Sequence, residues 1–391
     1  MEFETWWLLA LPLFFALGWF AARIDIKQLV TESRRLPHSY FKGLNFLLTE
    51  QPDKAIEAFI EVVKVEPETV ELHFALGNLF RRRGELERAI RMHQNILDRE
   101  DLAPDQRLTA LHELGQDYLK AGLLDRAEEL FLKLRGTSFE QSGLKYLLEI
   151  YEQEKDWPKA IEISREMDAI TGQSSAKDIA HFYCELASAA LVHARHDEAR
   201  RHVEDALSVN RKCTRANLIL GDVELGAGRV EAAVDAWKRI EGQNPQYLSL
   251  AADRLLGAYK RLGREGQGIQ LLTGFLANYP SLDLLESVFK AVLETEGQRR
   301  AYELLRDELR RHPTLIGLNR LLEMQLAEAP TERRHDLELT RDLIQQHART
   351  LSLYRCDNCG FRARQFYWHC PACHGWETYL PRRTEERELS A

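Results

Sequence analysis

A small residue returns about every 34 positions along this chain: Ala55, Ala89, Ala127, Ala160, Ala199, Ala233, Gly268 and Ala301. Twelve residues ahead of each lies a second point: Gly43, Gly77, Gly115, Leu148, Ala187, Gly221, Leu256 and Phe289. Two helices approach closely only where side chains are small. A repeating unit of this length, with contact points twelve apart, therefore describes a stack of helix-turn-helix hairpins. Few other folds tolerate such a period over most of a chain.

Other positions keep the same register. Phe59 and Val62 follow Ala55 by four and seven residues, and Pro67 closes that helix. Pro245, Pro280 and Pro313 stand at corresponding ends of later units, where proline stops a hairpin's second helix. Gly84, Gly122, Gly228 and Gly263 fall at the turn within the hairpin, where a positive φ is easily adopted. Phe80, Tyr118, Tyr151 and Tyr259 follow the first contact point by three and fill the seam. The pattern resembles the tetratricopeptide repeat from about Leu36 to Pro313, with a weaker ninth hairpin from Thr314 to about Thr350. An irregular helical bundle is the alternative. The anchor spacings are 34, 38, 33, 39, 34, 35 and 33, and the two long ones predict extended turns near Leu102–Arg107 and Gly172–Asp178.

Composition fits a solenoid, in which each repeat touches only its neighbours and length does not count domains. Lys and Arg number 53 against 61 Asp and Glu, a net charge of −8 that argues against general nucleic-acid binding. The basic runs Arg81–Arg83, Arg310–Arg311 and Arg382–Arg383 read as solvated helix faces or tail.

Residues 5–22, TWWLLALPLFFALGWFAA, carry no charge. As a helix they span about 27 Å, the short end of what crosses a bilayer. Trp6, Trp7 and Trp19 lie near its two ends, where indoles favour the headgroup boundary. A cleaved signal peptide would want a basic start, yet Glu2 and Glu4 stand there, and Arg23, Lys27, Arg34 and Arg35 come afterwards. The expectation is a retained anchor over residues 1–22, a linker over 23–35, an outside N-terminus and a cytoplasmic remainder. Thiols there meet a reducing compartment, where paired cysteines more often bind metal than form disulfides.

The other end reads YRCDNCGFRARQFYWHCPACHGWE. Cys356 and Cys359 form one C-x-x-C knuckle, Cys370 and Cys373 another, all within 18 residues. Each knuckle aims two thiolates at one point, and together they make a tetrahedral four-sulfur site. Phe361, Phe366, Tyr367, Trp368 and Trp376 offer the apolar wall that so small a module needs. Residues 351–391 resemble the rubredoxin-type metal ribbon in their C-x-x-C-G and C-P-x-C elements, and depart from it where His374 replaces a glycine. One metal ion is expected, structural zinc by preference with iron as the alternative. Cys184 and Cys213 stand alone on repeat helices and read as small buried hydrophobes.

No phosphate loop, dinucleotide fingerprint, nucleophile elbow or zincin motif is present, so the chain reads as a non-enzyme. A solenoid instead offers a concave face lined by the first helix of each hairpin. In this register Asn78, Arg81, His112, Gln116, Lys120 and Glu149 point into that groove and could hold a partner's peptide or helix.

In its order of anchor, repeats and four-cysteine ribbon, the chain resembles the lipopolysaccharide assembly protein B family of the bacterial inner membrane. WWLLALPLFFALGWF, YFKGLNFLL and CDNCGF…CPAC carry the likeness. The resemblance implies an all-α tetratricopeptide solenoid with an N-terminal transmembrane helix and a small metal ribbon that packs on the repeats. It also implies an adaptor that promotes degradation of the lipid A-committing deacetylase by the membrane AAA+ protease FtsH, and coordination of lipopolysaccharide assembly with export. Cys356, Cys359, Cys370 and Cys373 are the metal ligands it carries over. A redox role with iron in the ribbon is a rival. So is nucleic-acid binding through Arg355, Arg362, Arg364, Arg382 and Arg383, which the acidic balance opposes.

Overall fold

The computed structural model describes residues 15, 16, 19, 38–49, 51–65 and 70–388. Residues 5–22, where the anchor is expected, otherwise lie outside the described residues, as does Pro67. Among the described residues no helix is long and apolar enough to cross a membrane. The chain divides into two compact units, residues 1–154 and 155–391.

The first unit holds α1 (His38–Leu48), α2 (Pro52–Val65), α3 (Val70–Arg82), α4 (Leu86–Leu97), α5 (Pro104–Lys120), α6 (Leu124–Leu132) and α7 (Glu140–Glu154). The second begins with α8 (Trp157–Thr171), α9 (Ala176–Val192), α10 (His196–Val209), α11 (Thr214–Gly226) and α12 (Val230–Gln243). After a 3-10 turn at Pro245–Tyr247 come α13 (Leu248–Arg261), α14 (Glu265–Asn278), α15 (Leu282–Thr295), α16 (Gln298–Arg311), α17 (Leu315–Glu328) and α18 (Thr331–Leu351).

The recurring anchors are the hairpin seams. Ala55, Ala89, Ala127, Ala160, Ala199, Ala233 and Ala301 are all fully buried. The glycines twelve residues ahead do more than pair small with small. A Cβ on Gly43 would stand 2.6 Å from the Phe59 ring, on Gly77 2.3 Å from His93, on Gly115 2.7 Å from Phe131, and on Gly221 2.1 Å from Trp237. Each glycine thus accepts a ring sixteen residues on. That ring lies one turn beyond the small anchor, on the same face of the second helix. In α12 the Trp237 Nε1 also donates to the Leu218 carbonyl at 3.0 Å, which pins the indole across the seam.

The turn glycines adopt the left-handed conformation expected of them, with φ from 68° to 78° at Gly84, Gly122, Gly228 and Gly263. Lys155 and Ala194 hold that conformation too, at φ 58° and 55°, without being glycine. The two long spacings share one origin, and it is not an extended turn. The first helices α5 and α9 each run 17 residues where α3 and α11 run 13. The connections ahead of them are 98–103, offset by a shorter α4, and only 172–175.

Ion pairs rung the first helices together at roughly one repeat's distance. Glu185 meets Arg215, Asp222 meets Arg254 and Glu286 meets Arg320 in the second unit. Beyond α18 the chain makes a three-stranded antiparallel sheet, order β2-β1-β3, from β1 (Tyr354–Cys356), β2 (Arg362–Ala363) and β3 (Tyr379–Arg383). A short helix, α19 (Thr384–Glu388), follows.

Candidate metal centre and its docking surface

The two knuckles of the ribbon are built alike. Cys356 N–H donates to the Phe361 carbonyl at 2.9 Å, and Gly360 N–H returns to the Cys356 carbonyl at 3.0 Å. Cys370 N–H donates to Gly375 at 3.0 Å, and His374 N–H returns to Cys370 at 2.9 Å. Such a turn needs a positive φ four residues after the first cysteine. Gly360 supplies it at 77° and His374 at 55°, so the histidine in the second knuckle sits in a conformation that favours glycine.

The turns bring Cys356, Cys359, Cys370 and Cys373 together, with all four Sγ atoms within 4.8 Å of one another. Cys356 lies 3.7 Å from Cys373 and Cys359 3.8 Å from Cys370. A tetrahedron of metal–sulfur bonds near 2.3 Å has edges of about 3.8 Å, whereas a disulfide needs about 2.05 Å. The donor set and its spacing fit one tetrahedral metal ion. Burial works against the charged form of Cys356, but the Thr378 hydroxyl and the N–H groups of Cys359 and Asn358 hold its thiol down to about 6. Cys356 and Cys370 are buried, while Cys359 faces solvent.

Of the aromatic residues expected to wall the ribbon, Phe366 and Tyr367 pack against its interior, while the two indoles meet Phe366 and His369 and also reach the repeats. Tyr379 and Tyr354 fill its small interior, with Tyr367 edge-on to Tyr379. Phe361 is exposed. Trp368 stacks on Tyr247 of the repeats at 5.2 Å and 5°. Trp376 stacks on His181 of α9 at 5.0 Å and meets Trp157 and Phe182 edge-on. The Arg215 guanidinium lies 5.9 and 5.8 Å from these two indoles. A Glu377 carboxylate oxygen lies 3.1 Å from His181 Nε2, and Glu377 pairs with Lys177 at 3.4 Å. Burial outweighs that carboxylate and lowers the His181 pKa below its ordinary value. The ribbon's indoles are therefore its docking surface.

A second set of contacts secures the ribbon at the far end of the unit. Asp283 at the start of α15 accepts from Arg383 Nη2 at 2.7 Å and from the Tyr354 hydroxyl at 2.5 Å, with the guanidinium 4.0 Å above the Tyr354 ring. Glu386 accepts from Leu282 N–H at 2.9 Å. Glu385 accepts from Leu315 N–H and, at 3.1 Å, from Ile316 N–H. Of these docking residues only Arg383 was singled out from sequence, and there as a solvated tail or a nucleic-acid contact rather than as the partner of Asp283. Their pairing across 69 to 104 positions leaves no local spacing signal.

The groove candidates all belong to the first unit. Arg81 Nη1 donates to Asp117 at 2.8 Å, and its Nη2 to Glu113 at 2.5 Å and Asn78 at 2.6 Å. His93 Nδ1 lies 2.5 Å from the other Asp117 oxygen, and both side chains are fully buried. His112 Nε2 meets the Ser142 hydroxyl at 2.7 Å, and Gln116 donates to His112 Nδ1 at 3.1 Å. Asn78, Arg81, His112 and Gln116 thus bond within the fold, while Lys120 and Glu149 are exposed. Against the cost of burial, hydrogen bonds from His112 and Arg81 hold Glu113 down to about 2. Asp117 and His93, the centre of this cluster, were not foreseen. Cys184 and Cys213, read as isolated, are buried and lie 3.8 Å apart.

Hairpins with buried small anchors and a four-thiolate ribbon define a tetratricopeptide-repeat protein with a rubredoxin-type metal-binding module. The family models agree. The tetratricopeptide repeat model matches residues 42–100 and 184–247, and the rubredoxin metal binding domain matches 354–379. Lipopolysaccharide assembly protein B of Escherichia coli K12 is 34% identical over 378 residues, covering 96% of this chain and 97% of the relative. The Haemophilus influenzae protein of that name is 31% identical, covering 97% and 98%. The chain belongs to the lipopolysaccharide assembly protein B family.

Proposed function

We propose that this chain is a non-enzymatic adaptor in lipopolysaccharide assembly, tethered to the inner membrane by residues 1–22 with its repeats in the cytoplasm. Residues 36–350 serve as the scaffold and 351–391 as its metal-bearing end. In this reading the scaffold presents the lipid A-committing deacetylase to the membrane AAA+ protease FtsH. The observation that carries the reading is family membership over nearly the whole chain, joined to hairpin repeats whose side chains supply protein-binding surface and no catalytic constellation that we identify. The metal in the ribbon is zinc, bound by Cys356, Cys359, Cys370 and Cys373 in a structural role, because thiolates in tetrahedral array suit it and the ribbon's work is to dock.

Polar and aromatic side chains on the first helices of the first unit are the client-facing surface, with Lys120 and Glu149 exposed there. Arg81 and Asn78 shape that surface rather than reach a client alone, since both are bonded to neighbours. Tethering has a direct test: a chain lacking residues 1–22 should fold and remain soluble yet fail to shorten the deacetylase's half-life in cells. Unchanged turnover defeats the tether. Purified protein that is colourless and holds one zinc per chain supports the metal assignment, and a red iron–thiolate spectrum defeats it.

A further inference from the structure

The first residues of a helix carry amide N–H groups with no partner inside the helix. In α15 and α17 the local cap residues satisfy only one each. Ser281 Oγ accepts from Leu284 N–H at 3.5 Å, and Thr314 Oγ1 from Gly317 N–H at 3.2 Å. The amides ahead of these are taken by the tail, Leu282 by Glu386 and Leu315 with Ile316 by Glu385. Two consecutive glutamates on one short helix therefore complete the starts of two consecutive first helices, one repeat apart. The carboxylates also stand where the helix dipole favours negative charge. Glu385 is 5% exposed, so water does not substitute for it.

We propose that residues 384–388 act as a metal-linked terminal cap of the repeat array. Loading the ribbon holds Glu386 on α15 and Glu385 on α17, and emptying it frees those helix starts. The linkage follows from the chain path. Glu385 follows β3 by two residues, and β3 pairs with β1, whose last residue is the metal-site thiol Cys356. A ribbon this small keeps its fold only with its ion, so metal binding and strand pairing are one equilibrium. The last repeat of a solenoid lacks a neighbour on one side, so the hairpin begun by α17 leans most on such a contact. The inference rests on the metal reading of the four cysteines and adds a consequence for helices that the ribbon's own residues do not form.

Hydrogen exchange of the full chain, with metal content measured in parallel, tests it. In E385A/E386A the amides at residues 282 and 315–316 should exchange at least tenfold faster while one metal per chain is retained, and those of α12 should stay unchanged. E385Q/E386Q, which keeps an acceptor oxygen, should fall between. Stripping metal from the unaltered chain with a strong chelator should accelerate the same amides, and should add little to them in E385A/E386A. Amides that stay protected in the alanine variant overturn the cap. Amides that stay protected after chelation overturn the linkage alone. A chain that purifies without any metal overturns the metal reading and the linkage together, and is recognised by the content assay before exchange begins.

Discussion

The two units share one hairpin design and one habit of pairing charges between first helices, and differ in what else covers that surface. In the first unit, Arg81, Glu113, Asp117, His93 and Asn78 bond to one another across successive hairpins, so the polar groups are settled by the repeats themselves. In the second, first helices also pair, as Arg215 does with Glu185. There Arg215, His181, Tyr247 and Asp283 in addition meet a separate module that brings two indoles, an arginine and three glutamates. The same scaffold can be finished by internal ion pairing or by docking. The first unit leaves side chains such as Lys120 and Glu149 exposed, and the second covers its own with the ribbon.

The contrast breaks most decisively at the metal. Cys370→Ser should abolish metal uptake, forfeiting binding free energy on the order of 10 kcal/mol. It should also release Trp368 and Trp376 to solvent, read as a red shift in tryptophan emission with the first unit's exchange protection intact. Loss of protection in the first unit would mean that the units are not independent. Asp117→Ala makes the complementary cut. Removing the carboxylate buried between Arg81 and His93 should cost about 3–5 kcal/mol, toward the lower end because Arg81 keeps Glu113. Denaturant unfolding should locate that loss in residues 38–154 alone.

Gly221→Ala asks whether the seam or the surface sets stability. Its Cβ would collide with Trp237 and should cost about 1–3 kcal/mol or more. Gly84→Ala meets open space at φ 77° and should cost only about 1 kcal/mol, from the left-handed backbone. Equal losses would remove the seam argument.

Acid should separate the surfaces more gently. The folded-state pKa of His181 lies below its ordinary 6.5, so the neutral ring's contribution is present above pH 6.5 and is lost as pH falls through the lowered value. Glu113, held near 2, contributes above 4.5 and loses that contribution only as pH falls from there toward 2. Relative to H181F, the native chain should therefore weaken as pH drops from 7 to 5, read by thermal unfolding of the second unit. Parallel curves for the two proteins would exclude His181 as the source.

Much of this was legible beforehand because it is local or periodic. The alanines that recur near 34 residues mark seams, since burial of a small side chain is a property of one position in each hairpin. The cysteine knuckles likewise encode their own turns. Lys155 and Ala194 escaped notice because a turn held by both flanking helices can force a positive φ on a residue that does not prefer it. Trp368 and Trp376 meet Phe366 and His369 of the ribbon as expected, but their second contact, with the repeats, was not foreseen, for hydrophobicity says that a side chain is buried and not against what.

Sequence alone determined the hairpin, its period, the small seam residues and the four thiolates, each fixed by contacts within a few dozen positions. Only the tertiary structure decided that a glycine faces a ring sixteen residues on, that Asp117 joins Arg81 to His93, and that Glu385 and Glu386 finish helices about 70 and 104 residues away. Such partners meet because the folded backbone carries them together, and no spacing along the chain records the meeting.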